Sequence, residues 1–384
     1  MNNVMLAPVE FRNQNQEGVG RLLSLAIKGL VPMFDRDQHL FCYSLKVKDG
    51  AMAREGHSHR YTMMTLMGLH RLQESGVKSP FDMNEISTSL LRDLTWVDNL
   101  GDLGVLLWTL GIVCPERFPE LQSRLELETA LHRYRGGRQA VTMELAWFLT
   151  GLAYCALAYP EKRQELEVPA SQVYKLLTKN QGDRGFFGHQ STSVSFAGML
   201  RGRIGSFADQ VYPIYALTQF SKAFQHPDAL GRALRCANGI CEEQGSRGQW
   251  WWHYDAASGR VAEGYPVFSV HQHAMAPMTL FEFGDAVKKD FTPFIYKGLQ
   301  WINRKNELDF EMENQAHSLV WRCIYHSRGG FARYAKARLG KFPEPIEHGR
   351  RSDLKVLYEC RPYELGWLLY AFAKRLNTAS RPGE

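Results

Sequence analysis

Four stretches of the 384-residue chain gather histidine, arginine and polar aromatics beside glycine. They are REGHSHRYT (54–62), FADQVYPIY (207–215), WWHYDAASGRVAEGYPVFSVHQHAM (251–275) and CRPYELGW (360–367). The third is the richest. HYDAASGRVAEGYPVF has the pattern of a β-hairpin near 252–268, turning at Ser258 and Gly259. It feeds SVHQHAMAPM, where Ser269 is an N-cap candidate for a helix. His271 and His273 then fall near a helix N-terminus, where the dipole favours a neutral imidazole. That state suits a general base, with Tyr254 or Tyr265 returning the proton. The alternative is that both histidines only hydrogen-bond the loop. No third ligand lies close in sequence, so no metal site is expected, and no cofactor.

The other stretches supply groups that suit an anionic substrate. Arg361, before Pro362 and Tyr363, can clamp a carboxylate in two-point fashion. Arg60 and Tyr61 hold the corresponding place at the start of an earlier apolar helix. A surface salt bridge is the alternative for either arginine. Asp102 and Asp209 each begin an apolar helical segment. They are helix caps or, facing each other across a cavity, an acid and base pair. Trp251 and Trp252 pack in a core or offer a platform to a sugar ring, with His253 and Asp255 beside them.

These stretches are far apart in the chain, so the elements between them must bring them together. Apolar residues recur at helical spacing over 61–75, 83–94, 102–113, 119–135, 142–159 and 170–180. They do so again over 209–224, 227–244, 270–287, 291–306, 313–327 and 361–376. Helices apolar all round, such as 102–113 and 142–159, alternate with amphipathic ones such as 119–135 and 227–244. The first kind belongs inside and the second on a surface. Six inner and six outer helices in alternation predict an all-α (α/α)6 toroid; a generic helical bundle is the alternative. We assign one domain over 1–384, with residues 1–55 as an N-terminal extension that includes a short strand pair. Residues 181–207 are rich in Gly, Ser and Arg. Residues 328–358 form a basic loop with Arg328, Arg333, Lys336, Arg338, Lys341, Arg350, Arg351 and Lys355.

Two junctions carry a repeated motif. TKNQGDRGFF places Gln181, Gly185 and Phe187, and CEEQGSRGQW places Gln244, Gly248 and Trp250, both as Q-x3-G-x-aromatic after an amphipathic helix. This resembles the QW repeat of the squalene and terpenoid cyclase superfamily. The resemblance implies that the glutamine caps an outer helix, that the aromatic staples it to the next pair, and that the fold is a toroid. The same toroid serves terpene cyclases, prenyltransferases, lanthionine cyclases and many glycan epimerases, lyases and hydrolases. No D-x-D-D acid motif and no conspicuous Cys and His zinc motif is present, which favours the glycan-active group.

Composition sets the remaining bounds. Hydrophobic residues make up 45%, charged residues 22% and aromatics 12%. A net charge of +6 fits an anionic ligand and falls short of a dedicated nucleic-acid binder. The seven cysteines are scattered without a CxxC pair, which points to reduced thiols in the cytoplasm. No basic and apolar leader opens the chain, so no signal peptide is expected. LAWFLTGLAYCALAYP is shorter than the ~20 residues of a membrane span. The expectation is a glycan-active enzyme, an epimerase or lyase on an acidic sugar or oligosaccharide, with an Asp102 and Asp209 hydrolase as its variant. The alternatives are a terpenoid-cyclase-like enzyme on an isoprenoid and a non-catalytic toroid that binds a glycan or lipid.

Overall fold

A computed structural model describes residues 8–122, 124, 127, 141–190, 202–327 and 353–375. Its first helices in chain order are α1 (Pro8–Leu30), α2 (His59–Glu74), α3 (Met83–Arg92), α4 (Leu100–Val113), α5 (Phe118–Gln122) and α6 (Thr142–Ala158). The rest are α7 (Arg163–Thr178), α8 (Ala208–Phe224), α9 (Pro227–Glu242), α10 (Ala276–Val287), α11 (Thr292–Ile302) and α12 (Pro362–Phe372). The even-numbered helices form an inner ring. Each packs on the next, and α12 packs back on α2 to close it. The odd-numbered helices lie outside.

The sequence explains the division. Past Asp102, α4 carries no charge, and it is buried nearly throughout. By contrast α9 buries Ala229, Ala233, Cys236, Ala237 and Ile240 at three- and four-residue spacing and leaves its other face wet. Inner helices meet almost backbone to backbone. A Cβ on Gly68 of α2 would sit 2.1 Å from the Gly366 carbonyl oxygen of α12. Only glycine permits that approach, and it is what lets the last helix shut the ring on the first.

Two expectations need correction. Helix α1 occupies part of the segment assigned as an extension, and it packs on α12 as an outer helix. Segment 313–327, predicted as a helix, instead forms short strands: β8 (Glu313–Asn314), β9 (Leu319–Val320) and β10 (Cys323–His326). Ser318, at φ 55°, turns the chain between β8 and β9. The alternation in LVWRCIYH then suits a strand better than a helix. So the ring keeps its helix pairs, with the outer helix of the closing pair drawn from the N-terminal segment. Most of the predicted 119–135 helix lies outside the described residues, as does the basic loop apart from its end near Lys355. The 252–268 hairpin is present as β5 (His253–Asp255) and β6 (Arg260–Glu263), with Asp255 opposite Arg260. A third strand, β4 (Ile204–Ser206), pairs with β5. The N-terminal strand pair is β2 (Leu40–Lys48) with β3 (Ala51–His57).

The two motif junctions share one geometry. Gln181 Nε2 donates to the Gly185 carbonyl at 2.9 Å and to the Arg232 carbonyl on α9 at 3.0 Å. Gln244 Nε2 donates to Gly248 at 3.2 Å and to Phe294 on α11 at 3.0 Å. Each glutamine thus ties its own turn to the next outer helix. Phe187 and Trp250 are fully buried below those turns. Among the described residues no helix is long and apolar enough to cross a membrane.

Candidate functional site

The N-terminal ends of the inner helices surround a cavity of about 200 Å³. Two inner-helix starts, those of α4 and α8, are closed by reciprocal pairs. Asn99 Oδ1 accepts from the Asp102 backbone N–H at 3.0 Å, and Asn99 Nδ2 donates to Asp102 Oδ2 at 2.9 Å. Ser206 Oγ accepts from the Asp209 N–H at 3.2 Å, and Asp209 Oδ2 accepts from the Ser206 N–H at 2.9 Å. Asn99 and Ser206 thus accept from the first-turn amides of α4 and α8, and the aspartates bond back to them and offset the positive helix ends.

The wall mixes apolar and cationic groups. Met64, Trp147, Tyr212, Phe268 and Met275 supply the apolar part. Arg60, Tyr61, His271, Arg322 and Tyr363 supply the polar part. Both guanidiniums are held from behind. Arg60 Nε donates to Asp102 Oδ1 at 2.7 Å, and its Cζ lies 5.4 Å from the Trp147 ring centre. Arg322 hydrogen-bonds Glu364, lies 3.6 Å from Glu359, and sits over Phe268. Burial pushes the Glu364 carboxyl up to about 7, against the pull of Arg322 beside it. Burial also raises the Tyr61, Tyr212 and Tyr363 phenols, so at neutral pH all three are proton donors. At the floor, Tyr212 OH accepts from Trp367 Nε1 at 3.0 Å.

The expected bases fare differently. His271 lines the cavity, with Nδ1 3.4 Å from the Trp250 carbonyl. His273 is fully buried, and neither of its ring nitrogens has a hydrogen-bond partner. The two lie in one π-helical turn, His271–Met275, where residues two apart point in different directions. Burial pushes both imidazoles down to about 3. They are neutral as expected, but desolvation does this more than the helix dipole, and it leaves them very weak bases.

The remaining expected residues divide by place. Asp102 stands behind Arg60, and Arg361 stands behind Tyr61, donating to its hydroxyl at 2.9 Å and to Glu359 at 2.6 Å. Trp252 packs on Phe268 at 4.5 Å and hydrogen-bonds His253, which contacts Glu263 at 2.9 Å. Four others are not brought to the cavity. Tyr254 is fully buried, its hydroxyl accepting from the Trp251 N–H at 3.1 Å. Trp251 is buried and donates to the Glu243 carbonyl at 2.9 Å. Asp255 pairs with Arg203 at 2.8 Å and accepts from the turn it precedes. Tyr265 packs against Trp251 and His326. Tyr254 and Asp255 are consecutive in β5 and so face opposite sides of the sheet, and both are buried, Tyr254 against Phe186 and Phe207 and Asp255 on Arg203 and its own turn.

Sequence reasoning missed Arg322, Trp147, Tyr212 and His189. A usable signal existed for Arg322, an arginine inside the apolar run LVWRC, because a buried arginine must be paired. His189 contacts Asp209 Oδ2 through Nδ1 at 3.1 Å, beside the α8 cap. Among the described residues no group of three or more His, Cys, Asp or Glu is placed to hold a metal ion.

No family model matches the chain, and no curated protein does. Solved structures do. A possible member of the GH105 family from Salmonella enterica superposes with TM-score 0.61 at 12% identity, covering 99% of this chain and 97% of that one. A variant of the unsaturated glucuronyl hydrolase from Streptococcus agalactiae, complexed with dGlcA-GalNAc6S, gives 0.62 at 11% identity, covering 94% and 92%. Unsaturated glucuronyl hydrolase from Bacillus sp. GL1, responsible for the degradation of glycosaminoglycan, gives 0.56 at 14%, covering 95% and 97%. At these identities the likeness establishes the fold, an (α/α)6 toroid with small antiparallel sheets.

Proposed function

We propose that this chain is a glycan-active enzyme that holds an acidic sugar in the cavity and hydrolyses its glycosidic bond. One observation carries this reading. Two guanidiniums, Arg60 and Arg322, face a wall of aromatic rings, and among the described residues that line the cavity there is no carboxylate. A sugar carboxylate is the group such a wall is short of, and the ring's apolar face suits Trp147 and Phe268. An isoprenoid would desolvate those cations and leave their N–H groups unpaired, at about 1–3 kcal/mol each. The structural neighbours include hydrolases of unsaturated glucuronyl groups, which supports an acidic sugar and hydrolysis together. Epimerase or lyase chemistry needs a competent base near 271–273, and imidazoles held at about 3 serve poorly there. The buried free thiols agree with action in a reducing cytoplasm.

The test is incubation with unsaturated glucuronyl disaccharides from lyase-digested heparin or chondroitin. Hydrolysis removes the ultraviolet absorbance of the unsaturated ring and releases a reducing end. Lyase action on intact polymer creates that absorbance. Epimerisation changes neither but carries deuterium from solvent into the ring. Absence of all three signals, together with binding of an isoprenoid diphosphate, would overturn the proposal.

A further inference from the structure

Arg60 and Arg322 both line the cavity, but their charges are compensated differently. Arg60 rests on Asp102, whose other oxygen accepts from the Asn99 side-chain amide at 2.9 Å. Arg322 rests on two carboxylates. It hydrogen-bonds Glu364 Oε1 and lies 3.6 Å from Glu359 Oε1. Glu359 is shared, because Arg361 Nε donates to the same oxygen at 2.6 Å. Two guanidiniums thus meet two acids, and their charges cancel when both acids are ionised. Glu364 is the unusual member. The residue is fully enclosed, and its Oε2 has no hydrogen-bond partner among the described residues. An ionised oxygen held dry and without a donor is costly, and the Arg322 charge is what offsets the cost.

An anion that engages Arg322 from the cavity side weakens that offset. It competes for the guanidinium and repels Glu364 across it. The cluster avoids a third negative charge when the buried acid becomes neutral. We propose that binding of a sugar carboxylate at Arg322 draws one proton from solvent onto Glu364, so that the site takes up anion and proton together. Glu364 acts through Arg322 and is a positioning residue; no bond of the sugar changes in this step. The identity of the anion rests on the acidic-sugar reading above, which the coupling deepens. Burial already lifts the unliganded carboxyl to about 7, against the pull of Arg322 and Arg361 and with the help of Glu359. A modest push from a bound anion therefore completes its protonation near neutral pH. The other groups around the cluster do not compete for that proton. Burial holds His271 down to about 3, and it keeps the Tyr61 and Tyr363 phenols and the Cys323 and Cys360 thiols in their neutral forms. The sign follows. The neutral acid favours the anion, so affinity is full below about pH 7 and is lost as pH rises above it.

Calorimetric titration with glucuronate, in two buffers of different ionisation enthalpy, reads the protons taken up per anion bound. The parent should take up about half a proton at pH 7 and approach one at higher pH, and Kd should rise by up to about tenfold per pH unit there. Glu364→Gln keeps the side chain's size and an acceptor for Arg322 but cannot titrate. Its uptake should vanish, and its Kd should stay flat from about pH 6.5 to 8.5. Glu359→Gln should keep the uptake and move its midpoint down, because Glu359 raises the proton affinity of Glu364. Infrared difference spectra of the parent need no variant: glucuronate should bring up the carbonyl stretch of a neutral carboxyl. Acetate, the bare carboxylate, is the second probe. Binding of either anion without proton uptake overturns the coupling, as does uptake that survives in Glu364→Gln. Should that variant fail to fold, absence of the infrared band in the parent overturns it equally. If acetate binds with a proton and glucuronate does not bind, the sugar reading fails and the coupling stands. If neither anion binds, both fall.

Discussion

The two ends of the toroid's bore are built from the same inner helices and do opposite things with their polar groups. At the far end, Tyr154 of α6, Tyr215 of α8 and Tyr370 of α12 bring their hydroxyls together. Tyr215 lies 2.7 Å from each of the others, and they lie 3.2 Å from one another. Arg71 donates to Tyr370 at 3.0 Å and covers its ring, and Trp108 stacks on Trp367 at 5.1 Å above them. Here the three phenol hydroxyls and Arg71 satisfy one another, and Trp108, Trp367 and Tyr215 are buried side by side. At the cavity end, Arg60 and Arg322 are partnered from behind by Asp102 and Glu364 and keep a face toward open space. The positive ends of the inner helices point the same way, which adds to the attraction for an anion. Acids in the first turns, Asp102, Glu144, Asp209 and Glu364, keep that charge from being excessive. The lesson is that a site differs from a core by where its hydrogen bonds point, since both ends are rich in aromatics and charge.

The sharpest break in the comparison is Arg322→Met. It removes the cation that faces the cavity and strands Glu364, which is fully buried. Breaking a buried pair costs about 3–5 kcal/mol of stability. Loss of a charged hydrogen bond should weaken glucuronate binding by about 1.5–3 kcal/mol. The double variant Arg322→Met with Glu364→Gln should recover much of the stability and none of the binding. Chemical denaturation and calorimetry would separate the two effects. Unchanged glucuronate affinity would make Arg322 a structural cation like Arg71.

How much of this was legible depended on the kind of signal. Helix α4 announced itself, because LGVLLWTLGIV has no polar face and so must be enclosed. The junction glutamines were equally readable, since Gln181 and Gln244 repeat with glycines that adopt φ near +90°. The candidate site was legible in part. Arg60, Tyr61, His271 and Tyr363 sit at inner-helix starts, and a toroid brings those starts together. Tyr254 and Asp255 sit in the same polar-looking stretch but are buried on opposite faces of β5, because what covers a short strand depends on partners such as β4, some fifty residues away in sequence. Helix α1 was missed for a related reason. The polar run FRNQNQEG has little apolar stripe of its own, and its place on α12 is a tertiary fact.

Trp108→Ala strikes the filled end. The indole is fully buried against Trp367 and Tyr215, and its removal should cost about 3–5 kcal/mol, a typical value for deleting a buried aromatic. Glucuronate affinity per folded molecule should stay near that of the parent. A loss of affinity larger than the loss of stability would show that the floor of the cavity leans on Trp108 through Trp367 and Tyr212.

Acid should distinguish the ends as well. His271 and His273 are depressed to about 3 in the folded chain, whereas the unfolded chain binds protons near 6.5. At pH 7 neither state is protonated and the groups cost nothing. As pH falls below 6.5 the unfolded state takes up protons that the folded state refuses, so stability drops toward pH 3. The limiting slope is about 1.4 kcal/mol per pH unit for each histidine. His273→Leu should flatten the fall between pH 6 and 4.5 in urea titrations. An unchanged slope would mean that His273 is solvated or paired in solution.

The smallest expected effect is Tyr215→Phe, and it probes whether the filled end is sealed for packing alone. The hydroxyl bonds both Tyr154 and Tyr370, so its loss removes two contacts. Neither partner is stranded. Tyr154 and Tyr370 remain 3.2 Å apart, and Arg71 still donates to Tyr370. The ring keeps its place beside Trp108. Net loss should be about 0.5–1.5 kcal/mol, the usual worth of a hydrogen bond whose partners find other bonds. Turnover of unsaturated disaccharides should be unaffected, because Tyr215 lies beyond Trp108 from the cavity floor. Tyr212→Phe, one helical turn nearer the site, removes the acceptor for Trp367 and a cavity hydroxyl, and should lower glucuronate affinity at a similar cost in stability. If Tyr215→Phe impaired turnover as much as Tyr212→Phe, the hydroxyl cluster would belong to the site, and the division between a filled end and a working end would not stand.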